Sequence, residues 1–371
     1  MKAIAVNPVE RKLEMLSMPK PKIMHGDQVE LRTIEVGICG TDREICSYSY
    51  GTPPIGEKTL VLGHEALGQV TSIGDCVTGL NVGDFVVPSV RRPCQHSECN
   101  PCAETRQDYC YTGNFTERGI KEAHGFMAEY FVEEERYLHK IPETLRDVAV
   151  LVEPLSIAEK AISQIWQVQK RLPWDGPSGS NNGQGKNAVV LGAGPIGILG
   201  AMALRVRGFR TFLYSRRSSP NYKATLCNAF GATYVSSTQM AVGDLAEEIG
   251  SIDVVYEAMG VAELSFAVLR ALGVNGVFVF TGIPSHKPAI PIHADSIMRD
   301  LVLKNQAIIG TVNADRDAFE NAIADLHAFK SLWPDAIEQV VTGRFPLSSY
   351  RALLLNRSVG IKDVIAMDAA Q

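Results

Sequence analysis

AVVLGAGPIGILGAMALRVRGF, residues 188–209, is the stretch on which the reading of the chain turns. Its first four residues are apolar, as in a strand buried on both faces, and from Pro195 an apolar run of helical length begins. Between them Gly192, Gly194 and Gly197 form the pattern G-x-G-x-x-G. Glycines keep such a turn tight and let the backbone approach a pyrophosphate, whose charge rests on the free N–H groups and dipole of the helix start. Alone, the pattern also occurs in ordinary turns. After a strand and at a helix start it marks a dinucleotide site.

Downstream, TFLYSRR (211–217), IDVVYEAMG (252–260), NGVFVFTG (275–282) and QAIIGTV (306–312) read as further strands between helical patterns. That alternation predicts a parallel sheet. Upstream, KAIAV (2–6), QVELRTIEV (28–36), LGQVTSIG (67–74) and DFVVPSV (84–90) are short β-rich runs separated by Gly, Pro, Asn and Asp. They predict an all-β, barrel-like body over residues 1 to about 160. PWDGPSGSNNGQGKN (173–187) reads as a surface loop leading into the sheet domain. After residue 312, DRDAFENAIADLHAFKSL predicts a helix, and the mixed tail beyond it either extends the sheet domain or returns to the first body.

Composition excludes several classes. With 46% hydrophobic and 21% charged residues in 371, the chain is expected to be a soluble protein of two or three domains. A net charge of −5 offers no general attraction to nucleic acid or an acidic membrane. MKAIAVNPVERKLEM lacks the apolar core of a signal peptide, and no apolar run is long enough to span a bilayer. The expected setting is cytoplasmic.

A reducing compartment makes clustered thiols a metal signal. RRPCQHSECNPCAETRQDYC (91–110) holds Cys94, Cys99, Cys102 and Cys110, four of the eight cysteines, as C-x4-C-x2-C-x7-C. Four thiolates close a tetrahedral zinc and leave no position for substrate, so this cluster reads as a structural pin. Free or oxidised cysteines are the alternative, and the spacing fits neither common iron–sulfur pattern. An open metal site would instead need mixed donors. Cys39, with Thr41 and Asp42 in VGICGTDREI, His64 and Glu65 in VLGHEALG, and Glu153 in LVEPLSIAEK supply sulfur, nitrogen and oxygen. At the end of the second sheet strand, where an acid would select NAD, stand Ser215, Arg216 and Arg217. A hydroxyl and two guanidiniums suit the 2′-phosphate of NADP.

These residues together resemble the zinc-dependent medium-chain alcohol dehydrogenases, most closely their glucose dehydrogenase branch, best known from archaea. The likeness runs through ICGTDREI, LVLGHEALG, VVPSVRRPC, the four-cysteine lobe, TGNFTERGI, HGFMAEYF, LVEPLSIAEKAI, VLGAGPIGIL, SRR and IIGTVNA. The resemblance implies an α/β fold in two domains. Residues 1–186 and 312–371 would form a GroES-like β-rich catalytic domain carrying a zinc lobe at about 91–112. Residues 187–311 would form a Rossmann domain with a doubly wound parallel sheet, so the tail is expected to return to the first body.

Roles follow from the same resemblance. Cys39 and His64 would hold a catalytic zinc, with Glu65 and Glu153 completing its shell directly or through water, and Cys94, Cys99, Cys102 and Cys110 a structural one. Thr41 would contact the substrate and start the proton path, with Glu65 or Glu153 assisting catalysis. Glu117, Glu153 and Asn313 would bind sugar hydroxyls. NADP, with NAD as the alternative, would meet Gly192, Gly194, Pro195, Ile196, Gly197, Ser215, Arg216, Arg217, Thr281, Gly282, Thr311, Val312 and Asn313. Two departures stand out: Ile157 occupies a place where some relatives carry a carboxylate, and the first cysteine gap is four residues rather than two.

The expected reaction is oxidation of an aldose at C1 to the aldonolactone, with glucose ahead of galactose or a pentose, in a homotetramer or homodimer. The same scaffold serves polyol, threonine and secondary-alcohol oxidation, and a noncatalytic NADPH-binding sensor is the non-enzyme alternative. An intact Cys39, His64 and Glu65 set argues against the sensor.

Overall fold

The strand Asn187–Leu191 is buried at all five positions, as a strand covered on both faces must be. It lies inside a six-stranded sheet in the order Thr233–Ser236, Arg210–Ser215, Asn187–Leu191, Ile252–Glu257, Leu272–Phe280, Ala307–Gly310. Every neighbouring pair is parallel. In chain order this is 3-2-1-4-5-6, the arrangement whose direction reverses between the first and fourth strands. Val189, Leu191, Phe212, Tyr214, Val255 and Phe278 fill one side of its core. The computed structural model describes residues 1–173, 183–284 and 289–367, so most of the loop expected at 173–187 lies outside the described residues.

The chain divides into two units, Met1–Ser156 with Asn313–His327 and Val341–Gln371, and Ile157–Val312 with Ala328–Val340. These bounds differ from the expected 1–186, 187–311 and 312–371. The helix Val152–Gln169 crosses from the first unit into the second, because its later turns pack on the parallel-sheet body. Glu159 pairs with Arg207 at 2.6 Å, and Trp166 meets Phe209 at 5.7 Å between ring centroids. Residues 328–340 join the same body through Trp333, whose ring lies 6.1 Å from that of Phe230, and through Tyr222, which donates to Gln339 O at 2.8 Å.

In the first unit the β-rich runs belong to three sheets. The largest orders Leu138–Ile141, Phe85–Pro88, Glu65–Ile73, Gln28–Gly37, Lys362–Ala366 and Val341–Pro346, with Tyr130–Glu134 also paired to Gln28–Gly37. Lys362–Ala366 is antiparallel to Gln28–Gly37, with Val364 opposite Gly37, so the tail does return to the first body. A small sheet pairs Lys2–Asn7 with Lys12–Ser17 and Leu60–Val61. A third joins Arg91–Arg92, Thr116–Arg118 and Glu122–Ala123, and sets Arg91 opposite Glu117. Among the described residues no helix is long and apolar enough to cross a membrane.

Candidate active site

Each glycine of the G-x-G-x-x-G motif answers a different physical demand. Gly192 has φ +105°, a conformation L side chains avoid. At Gly197 a β-carbon would lie 2.0 Å from Gly192 O, so the helix can rest on the strand only without one. Gly194 caps the helix Pro195–Val206, and nothing lies within 4 Å of where its β-carbon would be. The space there is open for a ligand at the helix start, whose unpaired N–H groups favour an anion. Leu191 is in register with Tyr214, so Ser215 ends the adjacent strand and Arg216 and Arg217 follow it, both arginines exposed. Lys223 adds a cation that the sequence reading passed over. It donates to Ala193 O at 2.6 Å, and burial, with Arg217 nearby, lowers its affinity for a proton.

Thr281, Gly282, Thr311 and Val312 follow the fifth and sixth strands at the same edge of that sheet. Buried Glu257 fastens the loops. Its carboxylate accepts from Met259 N at 2.9 Å, Gly260 N at 2.7 Å and Gly282 N at 3.0 Å, and Thr281 Oγ1 donates to its carbonyl at 2.6 Å. Lys160 Nζ holds Val312 O at 2.9 Å. The residues present therefore suit a dinucleotide laid across strand ends at a topological switch point.

In the first unit one donor atom each from Cys39, His64 and Glu65 lies within 4.8 Å of the others. Three segments converge there. Cys39 sits where the strand Gln28–Gly37 gives way to the helix Gly40–Cys46, and its N–H donates to Asp42 Oδ2 at 2.8 Å. Asp42, fully buried, faces His64 Nδ1 at 3.4 Å, the orienting contact that metal-ligating histidines use. Glu65 opens its strand, and its Oε2 pairs with buried Lys362. Gly37 makes room for that carboxylate, since a β-carbon there would lie 2.3 Å from Glu65 Oε2.

The electrostatics call for a cation. Burial opposes charge on His64, yet the Asp42 carboxylate and the Cys39 thiol raise its proton affinity well above the ordinary imidazole value. Sulfur, nitrogen and oxygen donors together suit an open zinc site. Glu153, in the first turn of the helix Val152–Gln169, falls outside the 4.8 Å set. Burial pushes its carboxyl up to about 7; His64 opposes that shift and Glu65 reinforces it. Thr41 Oγ1 is 3.8 Å from Cys39 Sγ.

Cys94, Cys99, Cys102 and Cys110 also gather within 4.8 Å. Cys99 Sγ and Cys110 Sγ are 3.8 Å apart. Two sulfurs at about 2.3 Å on a tetrahedral zinc would be separated by about 3.8 Å, so this donor set fits a closed structural site.

Glu117 and Asn313, 196 residues apart, meet directly, with Asn313 Nδ2 donating to Glu117 Oε1 at 2.9 Å. Arg91 Nε and Nη2 donate to the same oxygen at 3.1 and 2.9 Å. One carboxylate oxygen thus takes the protein's bonds and fixes the direction of the other. Burial, and then the Glu117 carboxylate, raise the proton affinity of the Tyr50 phenol. Asp42, Tyr50, Arg91 and Lys362 carry no role in the sequence reading. Of these only Lys362 carries a local signal, a charge inside an apolar pattern.

Comparison with known proteins gives two family matches: the alcohol dehydrogenase GroES-like domain over residues 25–143, and the glucose dehydrogenase C-terminus over residues 146–367. The glucose 1-dehydrogenase of Methanocella arvoryzae is 35% identical over 370 residues, covering both chains fully. Glucose 1-dehydrogenase 1 of Caldivirga maquilingensis is 39% identical over 354 residues, 95% of this chain and 94% of that one. The solved Haloferax mediterranei glucose dehydrogenase in complex with NADP, Zn and gluconolactone superposes over both whole chains with a TM-score of 0.88 at 34% identity.

Proposed function

Because the chain belongs to the glucose dehydrogenase family, we propose that it oxidises the C1 hydroxyl of a β-aldopyranose, D-glucose first, to the aldonolactone with NADP. The observation that carries the sugar assignment is Glu117. Its Oε1 accepts from Arg91 and Asn313, so its second oxygen is set to receive a hydroxyl. A pocket built to hydrogen-bond discriminates strongly against ligands that leave those bonds unmade, which favours a polyhydroxylated substrate over an apolar alcohol.

Zinc bound by Cys39 and His64, with Glu65 or Glu153, supplies a Lewis acid that polarises a hydroxyl and lowers its pKa. NADP bound at Gly192, Gly194, Pro195, Ile196 and Gly197 supplies the hydride acceptor, while Ser215, Arg216 and Arg217 take its 2′-phosphate. The remaining work falls to this chain's side chains. Asp42 orients His64, and Lys362 anchors Glu65. Thr41 takes the hydroxyl proton and passes it toward solvent or a glutamate-bound water. Glu117, Glu153 and Asn313 hold the ring hydroxyls so that C1 alone is presented, an entropic contribution that positioning makes in any two-substrate reaction. Cys94, Cys99, Cys102 and Cys110 would hold a second zinc, which would pin the lobe.

The assay is nicotinamide reduction by the zinc-loaded protein with NADP or NAD against glucose, galactose, xylose, arabinose, sorbitol, threonine and 2-butanol. Strong turnover of an aldose, lost on chelation, is expected. Turnover of an open-chain alcohol alone would overturn the sugar reading.

We place the protein in the cytoplasm as a homodimer or homotetramer. The parallel sheet ends in the strand Ala307–Gly310, and the helix Ala294–Leu303 buries none of its residues while exposing Met298, Val302 and Leu303. Among the described residues no strand pairs with the outer edge of Ala307–Gly310, and that edge together with the exposed apolar side chains supports association with a second copy.

A further inference from the structure

Between Cys102 and Cys110 the four-cysteine lobe carries Arg106, Gln107 and Asp108, and these are tied to two of the three side chains assigned to the sugar, Glu117 and Asn313. Arg91 Nη1 donates to the carbonyls of Gln107 and Asp108 at 3.5 and 3.3 Å, and Gln107 Nε2 donates back to Arg91 O at 3.4 Å. The other nitrogens of that guanidinium hold Glu117. The ring of Phe115, centred 3.7 Å from the guanidinium carbon, fixes its plane. A second tie runs the other way. Arg106 grips Asp108 at 3.1 and 3.0 Å and also Asp315 Oδ2 at 3.0 Å, two residues beyond Asn313.

The lobe thus reaches Glu117 directly through Arg91, and again through Arg106, Asp315 and Asn313. All of these residues belong to one folded unit. Burying Arg91 and Glu117, each 6% exposed, costs desolvation that is offset only where the pair is well aligned and its remaining groups are hydrogen-bonded, as they are here by the lobe carbonyls and Asn313. A lobe that only pinned its own loop would need neither tie.

We propose that the four-cysteine lobe is a substrate-positioning element: through Arg91 and Arg106 it sets the place of Glu117 and Asn313, and with it affinity and selectivity for the sugar. This rests on the reading that Glu117 and Asn313 bind sugar hydroxyls. Arg91 and Arg106 are positioning residues that act through that pair.

The test is steady-state kinetics of the full zinc-loaded chain with glucose, galactose and single deoxyglucoses, for Arg106→Gln, Arg91→Lys, Arg91→Met, Glu117→Gln and the Arg91→Met/Glu117→Gln double variant. The Arg106 side chain is 39% exposed, so its loss is compatible with folding. Arg106→Gln should raise the KM for glucose about threefold to tenfold, with kcat within about twofold and the KM for NADP unchanged. Arg91→Met should raise it more than about tenfold, and Arg91→Lys, which keeps the charge but not the fork, should recover part of that. In the double variant the increases should fail to multiply, since both changes remove one contact. They should also shrink on the deoxyglucose lacking the hydroxyl that Glu117 takes.

A wild-type glucose KM in both Arg106→Gln and Arg91→Lys, with Glu117→Gln impaired, overturns the proposal and leaves the sugar site standing. A parallel rise in the KM for NADP, or increases that multiply, equally overturns it by revealing general disruption. No effect of Glu117→Gln on glucose KM overturns both readings. Should Arg91→Met fail to fold, Arg106→Gln and Arg91→Lys carry the decision.

Discussion

Replacing Gly194 and Gly197 separately by alanine should divide the glycine motif into a part that serves the fold and a part that serves the ligand. At Gly197 the new methyl would meet Gly192 O at 2.0 Å, and that carbonyl cannot retreat cheaply because it is backbone in a turn with φ +105°. Overpacking of this kind costs about 1–3 kcal/mol, and the gain in helix propensity returns less than about 1 kcal/mol. For a unit of this size each kcal/mol moves the midpoint by roughly 2–4 °C, so Gly197→Ala should lower the Tm by several degrees. At Gly194 the methyl meets nothing, and the backbone (φ −86°, ψ −179°) suits alanine. A poorer N-cap and a stiffer unfolded chain roughly cancel at about 1 kcal/mol each.

Gly194→Ala should therefore melt like the parent yet bind NADP at least about tenfold more weakly, about 1.4 kcal/mol, because its methyl occupies the pyrophosphate approach. Differential scanning calorimetry and NADP titration read the two effects independently. Parent-like NADP affinity in Gly194→Ala would refute the idea that the backbone meets the ligand there, and a parent-like Tm in Gly197→Ala would refute the packing argument.

Three other perturbations test separate parts of the structure. Asp42→Asn keeps an acceptor for Cys39 N–H but removes the charge facing His64, so zinc affinity at the Cys39 site should fall about 10- to 100-fold in chelator competition, and unchanged affinity would contradict the orienting role. Replacing Arg216 and Arg217 by serine should raise the KM for NADP about tenfold or more while barely altering that for NAD, with the difference shrinking in high salt because both side chains are exposed. Burial, reinforced by Arg316 and Arg92, pushes His139 down to about 3, against about 6.5 in an unfolded chain. Below pH 6.5 the unfolded state then binds the extra proton, so His139's contribution is full above that pH and falls by about 2 kcal/mol between pH 7 and pH 5. His139→Gln, still able to bond Ser89 Oγ in place of the 2.8 Å ring contact, should flatten that acid slope in urea titrations; an identical slope would exclude His139 as its source.

What the sequence disclosed follows from the reach of each demand. The glycine turn satisfies its needs within Gly192–Gly197, and the lobe within Cys94–Cys110, so both could be read from spacing. The donor set was legible only by the company of Cys39, His64 and Glu65, since each alone is an ordinary residue. The boundary at Ser156 escaped because a continuous helix gives no local sign of changing its packing partner midway.

Buried charges are harder still, because their partners can lie anywhere along the chain. Lys362 neighbours Ile361, Val364 and Ile365, all buried, and lies 297 residues from the Glu65 that balances it. Arg91 stands beside Arg92 and resembles a solvated pair until the strands Arg91–Arg92 and Thr116–Arg118 set it against Glu117. Exposure is the default for lysine and arginine, so the informative sign is a charge set among apolar neighbours that will be buried. A buried charge must be answered by an opposite one, and in Lys362 and Arg91 the answering groups are the carboxylates assigned here to metal and to sugar. Long-range charge pairing therefore hides these residues from a local reading, and it also ties them to the site.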